Sequence, residues 1–333
     1  MTQVFPEPRP SVALRMRQLA ALADNSLYDA CRFWRASFTN GAQNRENLRA
    51  RIAISLHFLE YGLSLRDAEP GRGADRAAQL ATDIDTYIVQ FGPDASTEIA
   101  LRALEGWLSA NVGASCNTGL ARRVVAAHAN APDTGLKGGR EKVSREEIQA
   151  RSMMDFLSFA QSRHSIRTYA AEPVPLQAIE RAVQAAQQSP SSCNRQTCRA
   201  HVWTDPVACA RILSLQSGNR GFGDQLGGVA VITSDLAHWE QANERYQGWI
   251  DGGMFAMSFA YALHAEGLGA VMLNWSERKE RDRELRAVAG LAESELVITM
   301  IGFGCLPARL NVPVSQRKPL SYALRLNTPL GAR

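Results

Sequence analysis

Cysteine pairs, long apolar runs, blocks of one charge and catalytic dyads are all missing from this chain, and each absence removes a class of function. The six cysteines, Cys31, Cys116, Cys193, Cys198, Cys209 and Cys305, are dispersed with no Cys-x-x-Cys pair. That excludes a zinc ribbon or an iron–sulfur cluster, and in a chain of 333 residues it points to reduced thiols in the cytoplasm rather than a disulfide framework. No apolar run is long enough to span a bilayer. The opening residues, Met1 to Pro10, lack the apolar core of a secretion signal. The net charge is only +4 and no basic block is interleaved with aromatics, so a nucleic-acid surface is not expected. His57-x-x-Glu60 is half of a metal site at i, i+3 without a second pair, and no metal is assigned. Neither a nucleophilic triad nor a pair of catalytic carboxylates is evident.

What remains is an ordinary globular composition, 45% hydrophobic and 21% charged, in a chain long enough for two folding units. Residues 11–63 read as helices; Ile52, Leu56, Leu59 and Leu63 recur at intervals of three and four, the apolar face of an amphipathic helix. Glu69-Pro70-Gly71-Arg72-Gly73 interrupts that pattern, Leu80, Ile84, Tyr87 and Ile88 start another helix, and Ile99 to Leu108 a third. No strand-like alternation occurs before residue 150. The polar, glycine-rich stretch from Asn130 to Lys142 is the expected linker, and Ser144 with Glu147 is a capping box opening the next helix. Residues 1–150 are thus expected as a helical region of unknown role and residues 151–333 as a separate domain. In the latter, helices alternate with short apolar strands, which argues for an α/β or α+β layer structure.

Two segments carry chemistry. Ser162-Arg163-His164-Ser165-Ile166-Arg167 places two arginines, a histidine and serines within six residues, suited to phosphate oxygens. Ser189-Pro190-Ser191-Ser192-Cys193-Asn194-Arg195-Gln196, after an apolar helix, offers neutral donors and acceptors for a polar heterocycle. Each segment alone is also compatible with a solvated helix end or a simple turn. Gly221-Phe222-Gly223 with Gly227 is not a dinucleotide fingerprint, because it precedes a strand and the spacing is off by one.

These segments, with Pro173-Val174-Pro175 and a helix from about Leu176 to Gln188, resemble the opening of the FMN-dependent nitroreductase family. Asn219 and Gly221-Phe222-Gly223 before the strand Val229–Thr233 follow in family order. So do Asp251-Gly252-Gly253-Met254 opening a long apolar helix, Leu273-Asn274-Trp275, the strand Val297–Gly304, and Arg317-Lys318-Pro319. The resemblance covers about residues 151–333, and the N-terminal extension is similar to that of a subgroup associated with polysaccharide biosynthesis clusters.

The resemblance implies an α+β fold, an α/β sandwich with a central mixed or antiparallel sheet flanked by helices and preceded here by an all-helical region. It also implies FMN as cofactor, with Arg163, His164 and Ser165 at its phosphate and ribityl end and Arg167 near the N1–C2=O edge. Ser191, Ser192, Asn194 and Gln196 would reach the flavin from the partner subunit of an obligate homodimer, and Asn219 would pair with the pyrimidine. Asn274 and Trp275 stand where relatives present a backbone N–H to flavin N5. Trp275 either crowds the substrate face or is a core tryptophan closing a strand. Arg317 and Lys318 would close on the phosphate. Phe222 replaces a common family lysine. The small-residue helix from Trp249 to Glu266 is either a core helix or one packed on its copy in the dimer.

The expected activity is transfer of hydride from NAD(P)H to the flavin and onward to a small organic acceptor by a ping-pong mechanism. The alternatives are a non-catalytic flavin-binding scaffold or regulator, or a flavin-dependent dehydrogenase or oxidase of a biosynthetic intermediate.

Overall fold

The computed structural model describes residues 11–41, 44–65, 69–129, 134–141, 149, 154–313, 315, 317 and 319–327. The capping box expected at Ser144 and Glu147 lies outside them.

Helical spacing in the first part becomes a bundle. Helices α2 (Arg45–Ser64), α3 (Ala74–Phe91), α4 (Ala95–Ala110) and α5 (Gly119–Ala127) enclose a core in which Ile52, Leu56, Leu59 and Leu63 meet Leu80, Ile84, Tyr87, Leu104 and Trp107. The break between α2 and α3 ends on Gly73, whose φ of 82° places it in the left-handed region. Asn44 and Asp94 cap α2 and α4 through reciprocal side-chain bonds with Asn47 and Thr97. Where it is described, the glycine-rich stretch expected as a linker is packed rather than free. Gly139 N–H donates to Glu60 at 3.0 Å, and a Cβ on Gly138 would sit 2.3 Å from the Ile99 carbonyl, an approach open only to glycine.

The second part is a four-stranded, wholly antiparallel sheet in the order β1-β2-β4-β3, built from Cys198–Trp203, Gly228–Asp235, Leu268–Leu273 and Glu295–Cys305 (β1 to β4 in chain order). The expected sheet is therefore antiparallel rather than mixed, apart from one parallel bridge between Ser165 and Ala270. Both faces are covered, which explains why β2 is buried along its whole length. On one face Val229, Val231, Val297 and Met300 pack with Ile212 and Leu213 of α8 (Pro206–Leu213) and Leu285 of α10 (Lys279–Ala289). On the other, Ala230, Ile232, Ile301 and Phe303 meet Ile179 of α7 (Leu176–Ala186) and Phe255, Phe259 and Leu263 of α9 (Gln247–Ala265). Val297 and Met300 share a face although three apart, because a register shift between Ile232 and Thr233 leaves Ile298 as an extra residue.

Helix α1 (Val12–Ala36) does not join the bundle core but lies on the sheet domain. Phe33 packs with Leu236, Trp239 and Leu296. The buried Arg32 guanidinium donates to the carbonyls of Glu293 (3.1 Å) and Glu295 (2.6 Å). Asn47 of α2 donates to Ala237 O at 2.6 Å, so two N-terminal helices are stitched to the same sheet end. No described helix is long and apolar enough to cross a membrane.

Candidate functional site

The short helix α6 (Phe156–Ser162) is started by Asp155, whose carboxylate accepts the Ser158 N–H at 3.1 Å, and it ends as Arg163 turns extended. The following residues are pinned beside the sheet. Ser165 bridges Ala270, Ile166 N–H donates to Ala270 O at 3.1 Å, and the Tyr169 hydroxyl donates to Ile166 O at 2.8 Å. The apolar Ile166, buried against β3 and β4, is thus the anchor that presents the polar residues on either side of it.

Arg163 and His164 line a cleft of about 250 Å³ with Ser162 and His264, over a floor of Ala260, Leu268 and Ala270. Among the described residues, no carboxylate lines this cleft. Burial lowers the pKa of His264, and the neighbouring Arg163 and His164 lower it further. His264 is therefore held toward neutrality beside Arg163, which makes no ion pair among the described residues. Ser162 Oγ and His264 Nε2 bond each other at 2.8 Å, which leaves Arg163 and His164 as the groups suited to an anion with several oxygens. Arg167 points outward; its guanidinium lies 6.0 Å over the Phe222 ring and only 3.5 Å, a marginal bond, from Ser165 O. Phe222 itself is buried in the core.

The Ser191–Gln196 loop sits at the other end of α9. Asp251, 1% exposed, accepts the Ser192 N–H at 3.0 Å on one oxygen and the Gln247 amide at 2.8 Å on the other. Ser191 Oγ accepts the Gln196 N–H at 3.0 Å. Cys193, Asn194 and Gln196 all have positive φ, 52°, 50° and 52°, so three non-glycine residues in four positions are held in a sparsely populated conformation. The buried Arg195 secures the loop by pairing with Glu244 at 2.7 Å and stacking 4.9 Å over Trp239. Asn194 and Gln196 are exposed, while Ser191 and Ser192 are half-buried. A small cleft beside this loop, lined by Ser189, Ser191, Gln196 and Asp251, shares no lining residue with the Arg163 cleft. Asp251 and His264 are roughly 20 Å apart along the helix axis.

The remaining site residues form a third region. Both Asn219 amide hydrogens are used within its own loop, toward Leu213 O (2.8 Å) and Gln216 O (2.6 Å), so the side chain ties the turn rather than offering a donor outward. Gln216, 4% exposed, joins this turn to the end of β3 by donating to Asn274 O at 3.0 Å. Asn274 is exposed. Of the two readings of Trp275, the geometry favours the core one: the ring packs on the sheet core and its indole N–H donates to Asp282 at 3.0 Å. Arg317 is exposed and donates to Ser315 O at 3.2 Å; Lys318 lies outside the described residues. Among the described residues the one metal-type grouping is Glu46, Asp235 and His238, away from His57 and Glu60. Arg199, 3.0 Å from Asp235, already supplies a cation there.

Sequence reasoning missed Asp251, Gln216 and Arg195. A carboxylate opening an otherwise apolar helix was the available signal for Asp251; the other two carry none that pattern alone reveals.

The Nitroreductase family model matches residues 160–219, which span both the Arg163 segment and the Ser191–Gln196 loop. A protein of Archaeoglobus fulgidus named as an NADH dehydrogenase/NAD(P)H nitroreductase is 26% identical over 153 residues, 46% of this chain and 86% of its own length. Among solved structures, a protein from Desulfovibrio desulfuricans named a nitroreductase and solved in complex with FMN is 24% identical. The match covers 54% of this chain and 100% of that one, with a TM-score of 0.46. An FMN-dependent nitroreductase from Clostridium difficile is 18% identical over 52% of this chain and 99% of its own, with a TM-score of 0.45.

Proposed function

We propose that the C-terminal part of this chain is a nitroreductase-family domain, as the match over residues 160–219 supports, and that the protein is an FMN-dependent oxidoreductase. It would oxidise NADH or NADPH and reduce a small organic acceptor in ping-pong order. The observation that carries this reading is the cation-lined cleft at Arg163 and His164, inside the matched segment. Its donor set fits a single terminal phosphate. Residues 1–150 are taken as a helical region added to the flavin domain of residues 151–333.

When bound, FMN supplies the two-electron chemistry; the residues bind, orient and shield it. Arg163, His164 and Ser165 hold the phosphate, with Arg317 and Lys318 closing from the C-terminal segment. The outward guanidinium of Arg167 stabilises negative charge at the pyrimidine edge. Ser191, Ser192, Asn194 and Gln196 stand too far along α9 to complete the Arg163 cleft of their own chain, so they serve that of a second copy. Dimerisation is supported by α9, which is largely apolar and leaves Ile250, Met254 and Met257 incompletely buried along one stripe, Tyr261 beyond them being covered by Phe156 and Phe159 of α6. A reducing, cytoplasmic setting suits six cysteines none of which is bridged.

The purified protein should show an oxidised-flavin spectrum and release FMN on acid treatment. Anaerobic addition of NADH or NADPH should bleach it, and sedimentation should give a dimer. Arg163→Ala should raise the FMN dissociation constant about ten-fold, the effect of one charge-assisted phosphate contact. Flavin that stays oxidised under excess of both nicotinamides would overturn the oxidoreductase reading; unchanged affinity in Arg163→Ala would mean the phosphate lies elsewhere.

A further inference from the structure

A cleft of about 410 Å³ opens where α1 meets the start of α9, lined on one side by Phe33 and Trp34 and on the other by Tyr246 and Trp249. Its size is that of a site for one small organic molecule. Phe33 is nearly buried, yet Trp34, Tyr246 and Trp249 are 57%, 61% and 42% exposed. Three large rings left in water around one concavity gain from an apolar partner, and flat rings gain most from a flat one. The cleft is also polarised. Arg245 lies 4.3 Å over the Tyr246 ring and makes no ion pair among the described residues, while Asp29 faces in from the α1 side. An anionic group is drawn to Arg245 and turned away from Asp29, so a ligand enters in one orientation. The wall is tied to the Ser191–Gln196 loop, because Glu244, adjacent to Arg245, is the residue that pairs with Arg195 at 2.7 Å.

We propose that this cleft binds a planar aromatic molecule carrying a carboxylate or similar acidic group, with its ring against Trp34 and Trp249 and its acid on Arg245. The N-terminal region then supplies one wall of a recognition site rather than only a covering for the sheet. Identifying this ligand as the electron acceptor rests on the oxidoreductase reading above; the binding itself does not.

Isothermal titration of the full chain with 2-naphthoate tests it, with 2-naphthylmethylammonium as the cationic control. The acid should bind at one site per chain and more tightly than the cation. Trp34→Ala and Arg245→Gln replace exposed side chains, so both should fold with unchanged melting temperature and each should weaken 2-naphthoate about five- to ten-fold. The same affinity in both variants as in the unmodified protein, or a preference for the cation, would overturn the proposal. Failure of flavin reduction would leave these affinities untouched, so the two readings fail separately.

Discussion

Replacing Glu295 by Gln should loosen the sheet at the end where the N-terminal helices are attached. The Glu295 side chain is 5% exposed. Its Oε1 accepts from His201 at 2.7 Å, Thr233 at 2.9 Å and Arg199 at 3.4 Å, and its Oε2 accepts the Ala292 N–H at 3.0 Å. Burial pushes the pKa up, but these donors outweigh it and pull the carboxyl from an ordinary 4.5 to about 2. A difference of that size between unfolded and folded states corresponds to about 3 kcal/mol of stability. The sign follows from which state binds the proton first. As pH falls the unfolded chain is protonated near 4.5 while the folded carboxylate stays charged, so the contribution is complete above 4.5 and is lost as pH approaches about 2. Urea unfolding of the two proteins should therefore differ by about 3 kcal/mol at pH 7, and the difference should shrink progressively below pH 4.5. A gap that is the same at pH 7 and pH 3.5 would refute the role of the charge. A gap under about 1 kcal/mol at pH 7 would show that the donors do not act as the geometry indicates.

Gly252→Ala should destabilise by about 1–3 kcal/mol in thermal or urea unfolding, because a Cβ there would lie 2.4 Å from Ile298 Cγ1 and force α9 off the sheet. Arg32→Ala should cost about 2–4 kcal/mol and expose α1 to limited proteolysis, since it strips the buried Glu295 carbonyl and the part-buried Glu293 carbonyl of their donor and Asp282 of a neighbouring cation. An unaltered proteolysis pattern would show that α1 is held by other contacts.

Periodicity made the helical bundle and the layered domain readable in advance. Ile52, Leu56, Leu59 and Leu63 fall on one face because the helix repeats every 3.6 residues, whatever they pack against. The Arg163 segment and the Ser191–Gln196 loop were readable for a different reason: dense clusters of donors are visible one residue at a time. Their supports were not. Asp251 lies 59 positions from the Ser192 N–H it accepts, and Gln216 lies 58 from Asn274.

What the sequence determined by itself is the local part: where helices and strands run, which faces are apolar, and which short segments are dense in hydrogen-bonding groups. Tertiary structure alone decided that α1 leaves the bundle for the sheet and that the expected linker packs on α2 and α4. It also decided that Trp275 turns to Asp282, and that the two candidate cofactor segments stand at opposite ends of α9. The physical reason is that each of these choices depends on a partner distant in the chain, and chain spacing carries no record of which buried carbonyl, carboxylate or ring will be there to meet it.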